Sequence, residues 1–400
     1  MKDTKILMYV PIAIAMKKVL FLGAGPCTLV AIRRLREGPP EIQDQLDMTI
    51  ITNDQWHYFP PLFADLALGE VTVDKIRAPA ENIAKRYNAK FVLDEVVKVD
   101  PANRLVMTKS GKSFTYDYLF LCMGTRNAPE VIPGLAEYGY HNYSLEGALK
   151  MKEALAKFKG GNIVVLTPEI PYRCGCYPFE VVGRLKYLAQ RKGRNYSVTL
   201  VHTMTDEQIF GAFKDVARQF KRLHDRMGIK YVTGKNVERI EPKKIIFQNG
   251  ETLGYDLLIY VPPVRVPKAV EGVDELVANP KALRTTFPSF RNPHYDEIFV
   301  PTDSAMPSVG LPIAGIFTHA AAIAAADGLI ADLTGVKASV PFPEQIVAVT
   351  DFGPTGYLVS FDVYDNGDGT ARQQMYVSAS NPFIKFMKLS FYLGWIESLK

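Results

Sequence analysis

Apolar and polar positions along the first part of the chain predict a buried strand followed by an amphipathic helix. From Lys18 to Glu37 the sequence reads KVLFLGAGPCTLVAIRRLRE, an unbroken apolar run, a glycine turn and then helical spacing of apolar residues. Strands that are apolar throughout are buried on both faces and belong to parallel sheets. A glycine and two prolines after the helix are typical of its end. The segment therefore opens a βαβ unit, and a second strand is predicted at 48–52.

The turn inside this unit carries a degraded dinucleotide-binding fingerprint. Gly23 stands where the chain must bend tightly, and Gly25 lets the backbone approach a pyrophosphate. Pro26 begins the helix, whose free N–H groups and positive dipole end attract the anion without any basic side chain. Thr28 replaces the third glycine of the fingerprint. Because a strand precedes the turn and a helix follows it, we predict that the turn binds a dinucleotide.

Two further segments refine this prediction. Dinucleotide-binding proteins usually carry an acidic residue for the ribose hydroxyl after the second strand, and here Asn53 or Asp54 takes that place. A second Rossmann-like unit begins with GGNIVVL at 160–166. The stretch that follows it, TPEIPYRCGCYPFE, has prolines and Arg173 instead of a glycine fingerprint. This substitution argues against NAD(P)H as a substrate.

Composition narrows the class of protein. A chain of 400 residues with 48% hydrophobic and 22% charged residues is ordinary globular material that forms two or more lobes. The net charge of +5 is small and spread out, which does not support nucleic-acid binding but leaves attraction to a membrane surface open. Four cysteines are too few and too unevenly spaced for a secreted disulfide framework, so Cys27 and Cys122 are expected to act as small buried hydrophobes. The C-x-C pair lacks the ligand spacing of a metal site, and no metal is expected.

The two ends of the chain bear on its location. Residues 1–15 are interpreted as a loose tail or a mis-assigned start rather than a secretory signal, and a cytoplasmic protein is therefore expected. No run of roughly 20 apolar residues is present, so no membrane-spanning helix is expected. The final segment, NPFIKFMKLSFYLGWIESLK, mixes aromatic residues with lysines, as do helices that lie in a membrane interface. The alternative is a helix that covers the core or forms a dimer contact. The candidate membrane or quinone residues are Phe383, Phe386, Phe391, Tyr392 and Trp395.

Several strand segments resemble those of flavin-dependent pyridine nucleotide-disulfide oxidoreductases. FTYDYLFLCMG at 114–124 is similar to the strand and glycine turn found throughout this superfamily, which places Gly124 at the cofactor. IFVPTD at 298–303 resembles a strand that ends in an aspartate, and the resemblance implies that Asp303 hydrogen-bonds the ribityl chain of FAD. Pro312 and Gly315 fall in the turn that follows. The resemblance thus implies FAD as the cofactor.

The substituted segment of the second unit resembles a narrower group, the sulfide:quinone oxidoreductases and flavocytochrome c sulfide dehydrogenases. Their P-x-R-C-x-x-x-P-Y-E segment is matched at Pro171, Arg173, Cys174, Pro178 and Glu180. Segments 261–270 and 350–353 are similar to the same group, so the resemblance covers residues 16–400. It implies that Cys174 receives sulfide or another small sulfur compound, that Glu180 manages the protons of a quinone, and that the protein attaches to a membrane. The simpler alternative for Glu180 is an acid in the first turn of a helix, where it is favourable to the helix dipole. His57 and His319 are further proton-handling candidates, for which packing is the commoner role.

One departure from this pattern leaves the chemistry open. The cysteine that pairs with the central cysteine in the family falls here at Ala348, and a third cysteine falls near Ser144. Cys176 could replace the lost partner, Cys174 could work alone and carry a persulfide, or the donor could have changed. Arg173 is expected to favour the Cys174 thiolate by its charge. A soluble sulfide dehydrogenase with a protein electron acceptor is the alternative function.

The predicted architecture is α/β, with two Rossmann-like domains and an amphipathic C-terminal membrane-interface segment. The FAD domain is discontinuous, at 16–150 and 280–340, and the second domain without a nucleotide fingerprint occupies 151–279. Residues 341–400 form the C-terminal segment. The predicted protein is a homo-oligomer attached peripherally to the cytoplasmic side of a membrane.

Overall fold

The computed structural model describes residues 16–336 and 342–400, so the predicted tail at 1–15 lies outside the described residues. The helices of the described chain are α1 (Pro26–Arg36), α2 (Pro40–Gln43), α3 (Leu62–Leu68), α4 (Glu81–Arg86), α5 (Leu135–Tyr138), α6 (Leu145–Lys157), α7 (Tyr177–Arg191), α8 (Asp206–Arg226), α9 (Gly315–Thr334) and α10 (Pro382–Glu397). Short 3₁₀ turns occupy Val73–Lys75, Pro129–Val131, Lys268–Val270 and Asp303–Val309.

The strands are mostly short, and three of the longer ones form a sheet of their own near the C-terminus. In chain order they are β1 (Lys17–Leu22), β2 (Leu46–Thr52), β3 (Trp56–Tyr58), β4 (Arg77–Pro79), β5 (Lys90–Leu93), β6 (Val96–Asp100), β7 (Leu105–Thr108), β8 (Ser113–Thr115), β9 (Tyr118–Leu121), β10 (Arg126–Asn127), β11 (Gly139–Tyr140), β12 (Gly161–Thr167), β13 (Tyr196–His202), β14 (Lys230–Thr233), β15 (Val237–Glu241), β16 (Lys244–Phe247), β17 (Thr252–Gly254), β18 (Leu257–Tyr260), β19 (Val264–Arg265), β20 (Val277–Asn279), β21 (Ala282–Leu283), β22 (Ile298–Phe299), β23 (Gln345–Asp351), β24 (Gly356–Asp365) and β25 (Ala371–Val377).

The first parallel sheet takes its strands from two separate stretches of sequence. Its order is β22-β9-β1-β2-β5, and every neighbouring pair is parallel. β1 is the predicted strand, and its last four residues are buried because helices cover both faces. β22 comes from far along the chain and closes one edge. The carboxyl ends of β1, β9 and β22 therefore meet at one edge of the sheet, where ligands bind in open α/β sheets.

A second parallel sheet has the order β11-β18-β12-β13-β14. Its first strand, Gly139–Tyr140, lies earlier in the chain than the predicted start of this domain at residue 151. The helix α7 packs on β12 and β13 and follows the substituted segment. The two sheets together form the predicted pair of Rossmann-like domains, which positions the C-x-C segment between them.

The C-terminal segment forms an antiparallel sheet of β23, β24 and β25, with α10 packed across β23 and β24. This sheet also receives α8 from the second domain, which packs on β25. The final segment is therefore folded onto the rest of the protein along its inner face.

One helix departs from the sequence expectation about membrane spans. α9 is long and apolar enough to cross a membrane by length and composition, whereas no such stretch was expected. It is a core helix, because it packs on α1 and buries most of its alanines. The buried carboxylate of this helix, Asp327, pairs with Arg34 of α1 at 2.6 Å.

Candidate functional site

The glycine turn after β1 has the geometry that a bound pyrophosphate requires. Gly23 has a φ of +101°, and a Cβ at that position would lie 2.7 Å from the Cys122 carbonyl oxygen. Gly25 has no atom within 4 Å of the position that its Cβ would take, which leaves open space at the N-terminus of α1. Thr28 is fully buried and its hydroxyl donates to the Gly23 carbonyl at 2.6 Å. The hydroxyl thus closes the turn on the inside while the outer face remains free for an anion.

The two cysteines beside this turn are not separate hydrophobes, as the sequence suggested, but form a disulfide. Cys27 lies in the first turn of α1 and Cys122 follows β9, and their Cα atoms are 5.5 Å apart. Both are buried. The expectation failed because 95 residues separate them and only the parallel pairing of β1 with β9 brings them together.

Three predicted cofactor residues meet at the same sheet edge. The Gly124 N–H donates to the Thr302 hydroxyl at 2.9 Å, which joins the end of β9 to the segment after β22. Asp303 begins the following 3₁₀ turn, and one of its carboxylate oxygens accepts from Thr318 at 2.6 Å. Gly315 begins α9 and has open space around its Cβ position. Asn53 is exposed just beyond β2, where a ribose would lie.

Buried polar atoms without partners mark where a ligand fits. Among the described residues these include Thr125 Oγ1, Asn127 Oδ1, Ser304 Oγ, and Nε and Nη2 of Arg173. Each lies close in sequence to a predicted cofactor residue or to Cys174. Buried polar atoms of this kind normally have a hydrogen-bond partner. Together with the open glycine positions, they fit a large polar cofactor such as FAD.

The loop that carries Cys174 is attached by its backbone to the turn at 312–315, which the sequence predicts to bind the cofactor. The Cys174 N–H donates to the Ile313 carbonyl at 2.6 Å, between Pro312 and Gly315, and the Cys174 carbonyl accepts from the Tyr177 N–H at 2.9 Å. Cys174 has a φ of +60°, a left-handed conformation that is uncommon outside glycine. Its side chain is exposed. The structure thus brings the predicted sulfur-reactive thiol to the predicted cofactor turn.

Cys176, the other candidate, has a different environment. Its side chain is buried, and its pKa is raised by that burial. The loop between the two cysteines is held by Tyr172, whose hydroxyl donates to the Gly175 carbonyl at 3.1 Å and lies 3.1 Å from His202 Nε2. Neither Cys174 nor Cys176 is in a disulfide.

The positions of the two missing family cysteines are both structural. Ala348 lies in the middle of β23 and is paired with Val359 of β24. Ser144 caps α6, where its hydroxyl accepts from the Gly147 N–H at 3.1 Å. With alanine at position 348, Cys174 cannot form there the disulfide that the family resemblance implies.

The expected effect of Arg173 on Cys174 is wrong. Although the thiol is accessible from one side, the protein packed around it raises the pKa of Cys174 to about 12. The carboxylates of Glu180 and Asp303 raise this pKa further, while Lys388 lowers it. The Arg173 guanidinium instead lies over the ring of Tyr143, 5.1 Å from its centre. Adjacency in sequence did not place the charge at the sulfur, because the Arg173 side chain is directed to the Tyr143 ring.

Glu180 lies at the centre of a buried charge network. One oxygen of its carboxylate contacts Lys388 Nζ on α10 and lies 3.4 Å from Arg184 Nη1, and the other accepts from the Asp351 N–H at 3.1 Å. Burial works to lower the pKa of Lys388, but Glu180 outweighs that effect and raises it. Glu180 is therefore more than an acid at the start of α7, which was the simpler interpretation.

Arg184 was missed by sequence reasoning. Its guanidinium is 1% exposed and contacts Asp65 Oδ1 at 2.7 Å and Glu70 Oε2 at 3.0 Å. It thereby joins α3 and the segment after it to α7. The available signal was its spacing of four residues from Glu180, which puts both side chains on one helix face.

The five aromatic candidates on α10 divide into two groups. Phe383, Phe386 and Phe391 are between 58% and 65% exposed. Tyr392 and Trp395 turn inward. Their contacts are with Phe59, at ring distances of 4.8 and 5.2 Å.

Trp395 connects α10 to the glycine turn after β1 through a histidine. Its indole N–H donates to His57 Nε2 at 3.0 Å, and His57 Nδ1 lies 2.8 Å from the Ala24 carbonyl, inside the glycine turn. His319 of α9 stacks on the same indole at 4.9 Å. Burial lowers the pKa of His57 and of His319 to about 4, so both rings are neutral at physiological pH. Both histidines have the packing role that is expected for them from the sequence.

The segment after β12 contains an ion cluster where related folds carry a glycine turn. Glu169 contacts Arg265 Nη1 at 2.8 Å and Lys281 Nζ at 2.9 Å. This side chain and the prolines around it fill the end of β12. An acidic residue and prolines there disfavour a dinucleotide phosphate.

Comparison with known proteins places this geometry in context. The sequence profile of the pyridine nucleotide-disulphide oxidoreductases matches residues 17–264. The sulfide-quinone reductase of Aquifex aeolicus (strain VF5) is 25% identical over 359 residues, which cover 84% of this chain and 81% of the relative. The mitochondrial sulfide:quinone oxidoreductase of Mus musculus is 24% identical over 269 residues, 63% of this chain and 57% of the relative. The solved structure of the Aquifex aeolicus sulfide:quinone oxidoreductase superposes with a TM-score of 0.82 at 22% identity, covering 96% of this chain and 91% of that one. This likeness confirms the fold of two Rossmann-like domains.

Proposed function

The chain belongs to the pyridine nucleotide-disulphide oxidoreductase family and binds FAD, and we propose that it oxidises sulfide at Cys174 and passes the electrons to a membrane quinone. One observation carries the proposal. Of the cysteines in the described residues, Cys174 has the exposed thiol, and its backbone is hydrogen-bonded to the flavin-binding turn at Ile313. The resemblance to sulfide-quinone reductases over most of the chain supports the same substrates.

The reaction balances with Cys174 as the acceptor of sulfur. Hydrosulfide, the Cys174 thiol, a quinone and a proton give a Cys174 persulfide and a hydroquinone. A sulfur–sulfur bond forms, the thiol S–H bond breaks, and two electrons pass from sulfur to the quinone. FAD, when bound, supplies the two-electron acceptor that links the two half-reactions. A second sulfide or another thiol then takes the terminal sulfur and restores the Cys174 thiol.

Cys174 acts without a partner cysteine in this proposal. The family position for a partner is occupied by Ala348, in a strand. Cys176 is buried, next to Gly175, whose carbonyl accepts a hydrogen bond from Tyr172. The raised pKa keeps Cys174 protonated between cycles, so a neighbouring group has to accept its proton when sulfur attacks. Glu180 is that group in our proposal, because its carboxylate is buried near the thiol.

Membrane attachment is proposed through α10. Phe383, Phe386 and Phe391 are all exposed, and the rings of Phe383 and Phe386 lie 6.1 Å apart. Exposed large aromatic residues of this kind are typical of a membrane or protein contact. The inner face of the same helix reaches Glu180 through Lys388. A quinone in the membrane would therefore approach along α10. The cytoplasmic side, the homo-oligomer and the absence of nucleic-acid binding stay predictions from the sequence.

The test is an anaerobic titration of the purified FAD-containing protein with sulfide, followed by a short-chain quinone. We expect sulfide to bleach the flavin absorbance of the wild type and of Cys176→Ser, and the quinone to restore it. Cys174→Ser should keep its flavin but stay oxidised when sulfide is added.

Three results would contradict the proposal. If sulfide leaves the wild-type flavin oxidised, the donor is a different compound. If Cys176→Ser behaves like Cys174→Ser, both cysteines are required and the persulfide on a single cysteine is wrong. Reoxidation by a soluble cytochrome but not by the quinone would favour the sulfide dehydrogenase alternative.

A further inference from the structure

The short loop between the two free cysteines is fixed to the second domain by one chain of hydrogen bonds. The Met204 N–H donates to His202 Nδ1 at 3.0 Å, and His202 Nε2 lies 3.1 Å from the Tyr172 hydroxyl oxygen. That oxygen lies 3.1 Å from the carbonyl oxygen of Gly175, the residue between the cysteines. The side chains of Tyr172 and His202 are both buried. The chain therefore links the end of β13 to the loop.

The direction of each hydrogen bond in this chain follows from its neighbours. Because a backbone N–H donates to Nδ1 of His202, that nitrogen carries no proton. Burial lowers the pKa of His202 to about 4, so the ring is neutral at physiological pH and its proton lies on Nε2. His202 Nε2 therefore donates to the Tyr172 oxygen, and the single Tyr172 hydroxyl proton is directed at the Gly175 carbonyl. Burial raises the pKa of the Tyr172 hydroxyl, which keeps this proton in place.

This chain controls the orientation of one peptide group. The Gly175 carbonyl belongs to the peptide that joins Gly175 to Cys176, and the Cys176 side chain is buried at the N-terminus of α7. The Cys174 side chain is exposed, so the two thiols face different environments. A disulfide has a specific geometry and requires both sulfur atoms to point towards each other. Its formation would require the Gly175 peptide to turn, and the hydrogen bond from Tyr172 opposes that rotation.

We propose that Tyr172 is a positioning residue that keeps Cys176 from attacking a persulfide on Cys174. This inference rests on the proposed function of Cys174. In the reaction that is prevented, the Cys176 sulfur bonds to the Cys174 sulfur, the persulfide bond breaks, and hydrosulfide and a proton leave. Both cysteines would then be oxidised, and Cys174 could not accept another sulfide. While the loop is held, the terminal sulfur of the persulfide stays available to an external thiol or sulfide.

The first arm of the test needs no sulfide chemistry. The purified FAD-containing protein is treated with diamide, which takes two electrons and two protons from a pair of thiols, and peptide mass spectrometry follows the disulfide between Cys174 and Cys176. Tyr172→Phe keeps the ring and loses the hydroxyl. We expect it to form this disulfide up to about tenfold faster than the wild type, the largest factor that one such hydrogen bond contributes. His202→Asn, which keeps an acceptor for the Met204 N–H but cannot reach Tyr172, should act in the same direction.

The matched control is Tyr177→Phe, which removes another buried tyrosine hydroxyl from the same segment. That hydroxyl donates to Asn142 at 2.6 Å and not to a carbonyl of the loop. The control should therefore form the disulfide at the wild-type rate. The proposal is overturned if Tyr172→Phe is no faster than the wild type, or if Tyr177→Phe is as fast as Tyr172→Phe.

The second arm uses sulfide and a short-chain quinone, followed by trapping with a maleimide. The wild type should yield a Cys174 peptide with an additional sulfur atom, and Tyr172→Phe should yield the internal disulfide at the expense of this persulfide. Equal amounts of persulfide in both proteins overturn the proposal. A wild type that carries no persulfide overturns the proposed function of Cys174, while the diamide arm still decides whether Tyr172 holds the cysteines apart.

Discussion

The helices α9 and α10 are both predominantly apolar but are opposite in placement. α9 is the more apolar of the two and satisfies the length and composition of a membrane span, yet its alanines are buried against other elements of the protein. α10 has a lysine on its buried side and phenylalanines on its exposed side. The difference shows that hydrophobicity alone does not tell whether an apolar helix lies in the core or at a membrane. The side on which the neighbouring protein lies decides the assignment.

The buried lysine gives the largest expected effect in this comparison. Lys388→Met leaves the Glu180 carboxylate buried near Arg184 but without its closest partner, and breaking a buried pair in this way costs about 3–5 kcal/mol of unfolding free energy. The measurement is urea denaturation followed by tryptophan fluorescence. The double variant Lys388→Met/Glu180→Leu should recover most of the loss. A single variant as stable as the wild type would mean that α10 is not held by this pair.

The contact between the two helices predicts that the free energy of unfolding depends on pH. His57 and His319 both contact Trp395 and have pKa values of about 4 in the folded protein, below the ordinary value of about 6.5. The unfolded chain therefore binds more protons between these values, so the free energy of unfolding falls as the pH falls from about 6.5 towards about 4. At pH 5 each histidine should cost about 2 kcal/mol relative to pH 7.

The matched variant for this pH effect is His57→Gln, which can still donate to Ala24 and accept from Trp395 but does not titrate. Its unfolding free energy should fall less steeply below about pH 6.5 than that of the wild type. Equal slopes for both proteins would contradict the assignment of the pH dependence to His57.

A single substitution in each helix sharpens the comparison, with smaller expected effects on stability. Ala321→Leu in α9 adds volume to a fully buried position and should cost about 1–3 kcal/mol. Phe386→Ser in α10 changes a residue that is 65% exposed. Its effect on stability in water should stay within about 0.5 kcal/mol, as for most surface substitutions. Thermal denaturation without lipid measures both. A large loss for Phe386→Ser would show that its ring is covered by protein, for example by a second copy of the chain.

Sequence reasoning located the parts of the site that depend on local pattern. The turn at Gly23, the strand before it and the helix after it follow from apolar spacing and two glycines. The place of Asp303 and Cys174 came from the family resemblance, and the structure brings both to the turn that follows β22.

The features that were missed or misread depend on contacts between distant residues. The disulfide between Cys27 and Cys122 requires the pairing of β1 with β9. The charge network around Arg184 requires α3, α7 and α10 to meet. Arg173 was placed beside the sulfur because it is adjacent in sequence, whereas a loop residue takes its direction from the surrounding fold. Periodicity carries no information on such contacts.

The contacts of Trp395, a hydrogen bond to His57 and stacking on His319, make the attachment of α10 optically visible. The chain has two tryptophans, and the other, Trp56, lies in β3. In a Trp56→Phe protein all indole emission would originate from α10. Its wavelength would distinguish a helix seated on the protein from one released into water, and the same signal could be followed while vesicles are added.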